Sequence, residues 1–138
     1  PTGCTKDGHS IDGVLPDDQR RGGSFTWPPP KENYVWSALQ GAVAQAVILK
    51  RAGYDVFNWE NQALRRVLQW LHSQANFPAA GDDTWIPHLI NYYYGTQFPA
   101  PVPTSPGKNI GWTDWTHSGT APSSTRPPAP TGLQVTVK

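Results

Sequence analysis

The residues of this chain best suited to proton chemistry are a tyrosine and an arginine. Arg21 closes the run Asp12-Gly13-Val14-Leu15-Pro16-Asp17-Asp18-Gln19-Arg20-Arg21, and Tyr34 stands at the head of an Ala-rich stretch. A phenol with an ordinary pKa near 10 is a weak proton acceptor at neutral pH. A guanidinium close to it favours the phenolate, because opposite charge stabilises the ionised form. The same guanidinium can grip a carboxylate through two parallel hydrogen bonds. Such a pair can remove a proton, return one and hold an anion. Trp27 and Trp36 offer flat ring faces that suit either a sugar groove or a core. Arg20 is a substrate contact or a surface partner of Asp17 and Asp18.

Other chemical candidates read as structural. Asp82-Asp83 are adjacent and point in different directions, unlike carboxylates spaced across a glycosidic bond. Capping of a helix is their expected work. The histidines at 9, 72, 88 and 117 show no HxxxH-type spacing. No metal site or cofactor is expected, although Asp7-Gly8-His9 can join ligands from outside the chain. Tyr92, Tyr93 and Tyr94 read as packing, and His117 as part of a tight loop. Cys4 is free or pairs with a cysteine outside the chain.

The run DGVLPDDQRR, the later Tyr34, the Ala-rich helix after it and the ending Gly53-Tyr54-Asp55-Val56 together resemble the alginate lyase family of (α/α) toroid polysaccharide lyases. The likeness covers roughly residues 10 to 75 and extends to Ala63-Leu64 and Leu68. It implies β-elimination on an acidic, uronate-containing polysaccharide, with Tyr34 as base and acid and Arg21 beside it. Arg20, Trp27 and Trp36 then become substrate-groove candidates. Two departures stand out: a long GGSFTWPPPKEN insertion separates Arg21 from Tyr34, and Asp18 stands where the family has Glu. The family's carboxylate-neutralising Asn and His would precede residue 1, so the missing N-terminal part of the same domain is an expected partner. The stretches GDDTWIPHLINYYYGTQFP and GKNIGWTDWTH look like a C-terminal extension of such proteins. The alternative is a non-catalytic helical domain that binds glycan or packs on another subunit.

The demands of that reaction are general. The C5 proton of a uronide lies next to an ionised carboxylate and is very weakly acidic. Donors must therefore meet the developing enediolate charge. A base must take the proton, and an acid must protonate the leaving O4.

Composition sets the outer limits. Eleven basic and ten acidic residues give a net charge of +1 over 138 residues, which argues against a basic nucleic-acid footprint. No run approaches the ~20 apolar residues of a membrane span. Fifteen Pro and 13 Gly predict a loop-heavy chain, and seven Trp, five Tyr and four Phe suit contact with sugars. Methionine is absent, and the opening Pro1-Thr2-Gly3-Cys4 lacks the pattern of a signal peptide, so an excised or processed segment is expected.

These side chains need a scaffold. Residues 1 to 31 are punctuated by Gly and Pro and read as an ordered loop anchored by Ile11, Val14, Leu15, Phe25 and Trp27. Apolar residues at 35, 38, 39, 42, 43, 46 and 49 predict a first helix, with Lys50 and Arg51 in its last turn and Gly53 after it. Gly41 and the alanines predict close approach of a neighbouring helix. A second helix starts at Asn58 as N-cap and buries Leu64, Val67, Leu68 and Leu71, packing antiparallel on the first. A third runs from about Thr84 to Tyr94, capped by Asp82 or Asp83 and ended by Gly95. Residues 96 to 117 return to loop.

The expected fold class is all-α: part of an (α/α) toroid, with helical hairpins and long ordered loops. The organisation is helical domain over 1–117, a Pro/Ser/Thr-rich linker over 118–131, and the first strand of a truncated fibronectin type III-like module over 132–138. That layout fits a secreted or periplasmic carbohydrate-active protein.

Overall fold

The computed structural model describes residues 2–104 and 110–119. The expected linker beyond residue 119 and the module after it lie outside the described residues. The remainder is mainly helical: β1 (Thr5–Lys6), β2 (His9–Ser10), α1 (Pro16–Gln19), α2 (Tyr34–Arg51), α3 (Trp59–Ser73), α4 (Trp85–Tyr94) and α5 (Thr113–Thr116). Two short 3₁₀ turns, Val56–Asn58 and Gly81–Asp83, precede α3 and α4.

Helix α2 forms where the 3.6-residue period placed it. Val35, Trp36, Leu39, Val43, Ala46 and Val47 make its buried stripe. Its end is a Schellman motif. The N–H of Gly53 donates to Lys50 O and that of Tyr54 to Leu49 O, each at 3.0 Å, with Gly53 at φ 97°. Gly41 is exposed, with nothing within 4 Å of the position a Cβ would take. The close helix neighbour expected there is absent among the described residues.

Helix α4 contacts both α2 and α3. Trp85, Ile86, Leu89 and Ile90 of α4 join Trp36, Leu39 and Val43 of α2 and Leu68, Trp70 and Leu71 of α3 in one core. Each large side chain removed from water this way contributes about 1.5–3 kcal/mol. A polar link crosses the core: Gln40 Nε2 donates to Asp83 Oδ1 at 2.6 Å, both side chains buried. The expected capping by Asp82 or Asp83 is corrected here. Thr84 occupies the N-cap position of α4, and Asp83 ties its 3₁₀ turn to α2.

Helix α3 also departs from expectation. Asn58 holds the N-cap position but makes no side-chain cap bond. Glu60, Asn61 and Gln62 then wind left-handed, at φ 48°, 53° and 57°. That conformation costs L-residues about 1–2 kcal/mol each. Arg66 binds this turn from below, donating from Nη2 to Glu60 O at 2.8 Å and from Nε to Asn61 O at 3.0 Å. Its Nη1 pairs with Asp12 of the N-terminal segment.

The N-terminal segment is ordered on the helices, as its apolar anchors predict. Val14 is buried, and Ile11, Leu15 and Phe25 pack against the core. Trp70 Nε1 donates to Ser10 O at 3.0 Å. Gly13, at φ 87°, lies so close to α3 that a Cβ there would sit 2.2 Å from Arg66 O. The Asp12-Gly13 pair thus docks the loop: the carboxylate takes Arg66, and the missing side chain admits the helix backbone. Strands β1 and β2 pair antiparallel with Lys6 opposite His9. Asp7 and Gly8 turn between them at φ 51° and 79°, a two-residue hairpin turn.

Candidate functional site

Helix α1 sets the spacing of the charges ahead of the site. Residues three apart face each other on a helical turn, so Asp17 meets Arg20 at 2.7 Å and Asp18 meets Arg21 at 3.6 Å. Between the two acidic residues and the two arginines, Gln19 turns inward and is buried. Its Nε2 donates to Pro30 O at 2.6 Å. That bond brings the far end of the long insertion back beside α1. A second contact closes the loop at its base. The Glu32 carboxylate lies against Gly22, where a Cβ would come within 2.1 Å of Oε1.

The detour therefore returns Tyr34 to Arg21. The Arg21 guanidinium carbon sits 5.4 Å from the centre of the Tyr34 ring, a cation–π contact. Tyr34 is the first residue of α2 and is 45% exposed. Its hydroxyl makes no hydrogen bond to any described residue. Ring and loop border a cleft of about 470 Å³ lined by Gly22, Glu32, Asn33, Tyr34 and Ser37. The positive end of the α2 dipole lies at this cleft, and Asn33 supplies no side-chain cap there.

Of the residues singled out by sequence, the fold thus brings Arg21 and Tyr34 together. Arg20 is exposed and held by Asp17, outside the lining of the cleft. Trp27 stacks face to face on His9, ring centres 3.8 Å apart, and is 37% exposed; it lies outside the cleft lining too. Trp36 is corrected: at 0% exposure it belongs to the core, edge-on to Phe77. The α-helical period explains this. Two residues after Tyr34 the helix has turned about 200°, so the ring that follows an exposed Tyr34 points inward. Glu32, Asn33 and Ser37 were missed. Their signal was local: polar residues gathered at the start of a helix whose next turn is apolar.

The remaining titratable groups describe packing. Burial pushes the Tyr94 hydroxyl up to about 12, with Arg65 opposing, and the group donates to Phe57 O at 2.6 Å. Tyr93 is raised mainly by burial and stacks on Phe57 with centres 4.0 Å apart. His72 is lowered by burial, with Nε2 unpartnered and its ring against Phe98. His117 is lowered by burial and by Arg51, and meets Tyr92 edge-on. Among the described residues no three His, Cys, Asp or Glu side chains gather where they could hold a metal ion. No helix among them is long and apolar enough to cross a membrane.

Compared with protein-family models, with curated proteins and with solved structures, the chain matches none.

Proposed function

We propose that this chain carries part of a polysaccharide lyase site that cleaves a uronate-containing, alginate-like glycan by β-elimination. One observation carries the reading: Arg21 lies over the Tyr34 ring, at an open cleft, across a 12-residue insertion. In this reaction the Tyr34 phenolate takes the C5 proton, and the electron pair left behind moves into the carboxylate as an enediolate. The C4–O4 bond then breaks as the C4=C5 double bond forms, and the Tyr34 hydroxyl returns its proton to O4. Arg21, held over the Tyr34 ring, draws the substrate carboxylate to the cleft. Asn33 lines the same cleft and has an amide N–H to offer that carboxylate. Further carboxylate-neutralising donors, and the rest of the (α/α) toroid to which α2, α3 and α4 would belong, come from outside this chain. The chemistry calls for no cofactor. A secreted or periplasmic setting goes with this reading, since polymeric uronans lie outside cells.

A second reading draws on a different surface. An apolar cleft of about 270 Å³ lies between α2 and α3, lined among others by Ala42, Ala46, Leu49, Val56 and Leu64. Trp59 and Tyr54 are half exposed near it, edge-on to each other. Such a face suits a helical domain that packs on another subunit without catalysis.

The test is to mix the protein with several uronate polymers and follow absorbance at roughly 230–240 nm, where the new conjugated acid absorbs. A rising signal supports the lyase. Binding without a signal on every uronan supports the packing or binding domain. New reducing ends without the chromophore would mean hydrolysis and remove the elimination step.

A further inference from the structure

The cleft beside Tyr34 holds a carboxylate that the proton transfer does not use. Glu32 receives no hydrogen bond and no ion pair from any described residue, and its Oε2 is shut away from solvent. Its position is built by Gly22, because any Cβ at residue 22 would overlap both carboxylate oxygens, at 2.1 and 2.2 Å. An ionised carboxylate can accept about four hydrogen bonds. Oε2 has no donor among the described residues and Glu32 lines the cleft, so an unmet demand for donors lies at the cleft wall.

We infer that Glu32 is a positioning residue that accepts a ring hydroxyl of the bound sugar. The inference rests on the saccharide reading of this cleft and adds an orientation to it. Glu32 repels a uronate carboxylate, whereas Arg21 attracts one. Arg21 lies over the Tyr34 ring, and Glu32 lines the cleft that this ring borders. A uronate residue therefore binds with its carboxylate toward Arg21 and a hydroxyl edge toward Glu32. That orientation separates the group to be neutralised from the group that fixes the ring. Gly22 is the device that allows it, and its replacement by alanine would push only the end of a flexible side chain.

The experiment measures calorimetric affinity for an alginate oligosaccharide and for its neutral, carboxyl-reduced counterpart, in a Tyr34→Phe background that cannot turn over. Glu32→Gln should weaken the neutral ligand about tenfold, the size of one charge-assisted hydrogen bond reduced to an ordinary one. It should weaken the acidic ligand less, because repulsion is relieved at the same time. Gly22→Ala should weaken the neutral ligand in the same direction, with thermal unfolding unchanged for both variants. A purely structural role for Glu32 would move both ligands equally. Equal affinities with and without Glu32, alongside Tyr34-dependent lyase turnover in the parent, overturn this inference and leave the lyase reading standing. Affinity that vanishes on removing calcium would make Glu32 a cation ligand and overturn it too. If the parent binds and cleaves no oligosaccharide, the lyase reading falls and the inference falls with it.

Discussion

Tyr34 and Tyr94 sit at opposite kinds of helix end. Tyr34 opens α2 with its ring half in solvent, a guanidinium on one face and a hydroxyl with no partner among the described residues. Tyr94 closes α4 with its hydroxyl bonded to Phe57 O and its ring edge-on to Phe57. Burial holds the Tyr94 proton, pushing its pKa up to about 12. One phenol is structural and the other is available. A phenol that spends its hydroxyl on a backbone carbonyl contributes to stability; a phenol left open beside a cation can serve chemistry.

The sharpest separation of core from cleft is made two residues after Tyr34. Trp36→Ala should cost about 3–5 kcal/mol in denaturant unfolding, the range for a buried aromatic deleted from a core. A loss under about 1 kcal/mol would return Trp36 to the surface. Gly13→Ala comes next, because its Cβ would strike the Arg66 carbonyl and its φ is 87°. We expect about 2–4 kcal/mol of destabilisation, from overpacking and left-handed strain together. Since Gly13 docks the segment that carries Arg21, that variant should also loosen the Tyr34 end while α4 keeps its amide protection in hydrogen exchange.

Tyr94→Phe should cost about 1–2 kcal/mol, since it leaves the Phe57 carbonyl without its donor. The Tyr94 pKa is raised above its unfolded value of 10.0, so its contribution is complete below pH 10.0 and is lost as pH rises toward about 12. An alkaline unfolding profile of the Tyr94→Phe variant should lack that part of the decline. Acid acts in two stages. His72 and His117 are depressed below 6.5, so their contribution is complete above that pH and falls away below it. Asp12 follows. Burial pushes its carboxyl up, but the hydrogen bonds from Arg66 and the Gly3 backbone, with the Arg66 charge, bring it below 3.8. Its contribution, about 1 kcal/mol for a partly exposed pair, is present above pH 3.8 and lost as pH falls through the lower folded value. Asp12→Asn should flatten this last limb. The smallest effect belongs to the open phenol: Tyr34→Phe should change stability by less than about 0.5 kcal/mol.

Much of the scaffold was legible because helices announce themselves by period and punctuation. The apolar stripe of α2, Gly53 and Gly95 placed both the helices and their ends. The Asp7-Gly8 turn is equally local, since an Asp-Gly pair readily takes the two positive φ angles that a tight hairpin turn needs. Long-range polar partners were hidden in principle. Nothing within reach of Asp83 in sequence points to Gln40, 43 residues away. Nothing near Asp12 points to Arg66, or to the left-handed turn that Arg66 holds. In the cleft, chemistry suggested Tyr34 and Arg21, whereas Glu32 became visible only with the contact that Gly22 makes.

The most direct test of the central claim is the uronan-dependent ultraviolet signal of Tyr34→Phe measured beside its binding of the same polymer. The variant should bind within a few-fold of the parent, and elimination should fall by about 10²–10⁴. Undiminished elimination by a chain without the Tyr34 hydroxyl would contradict that claim.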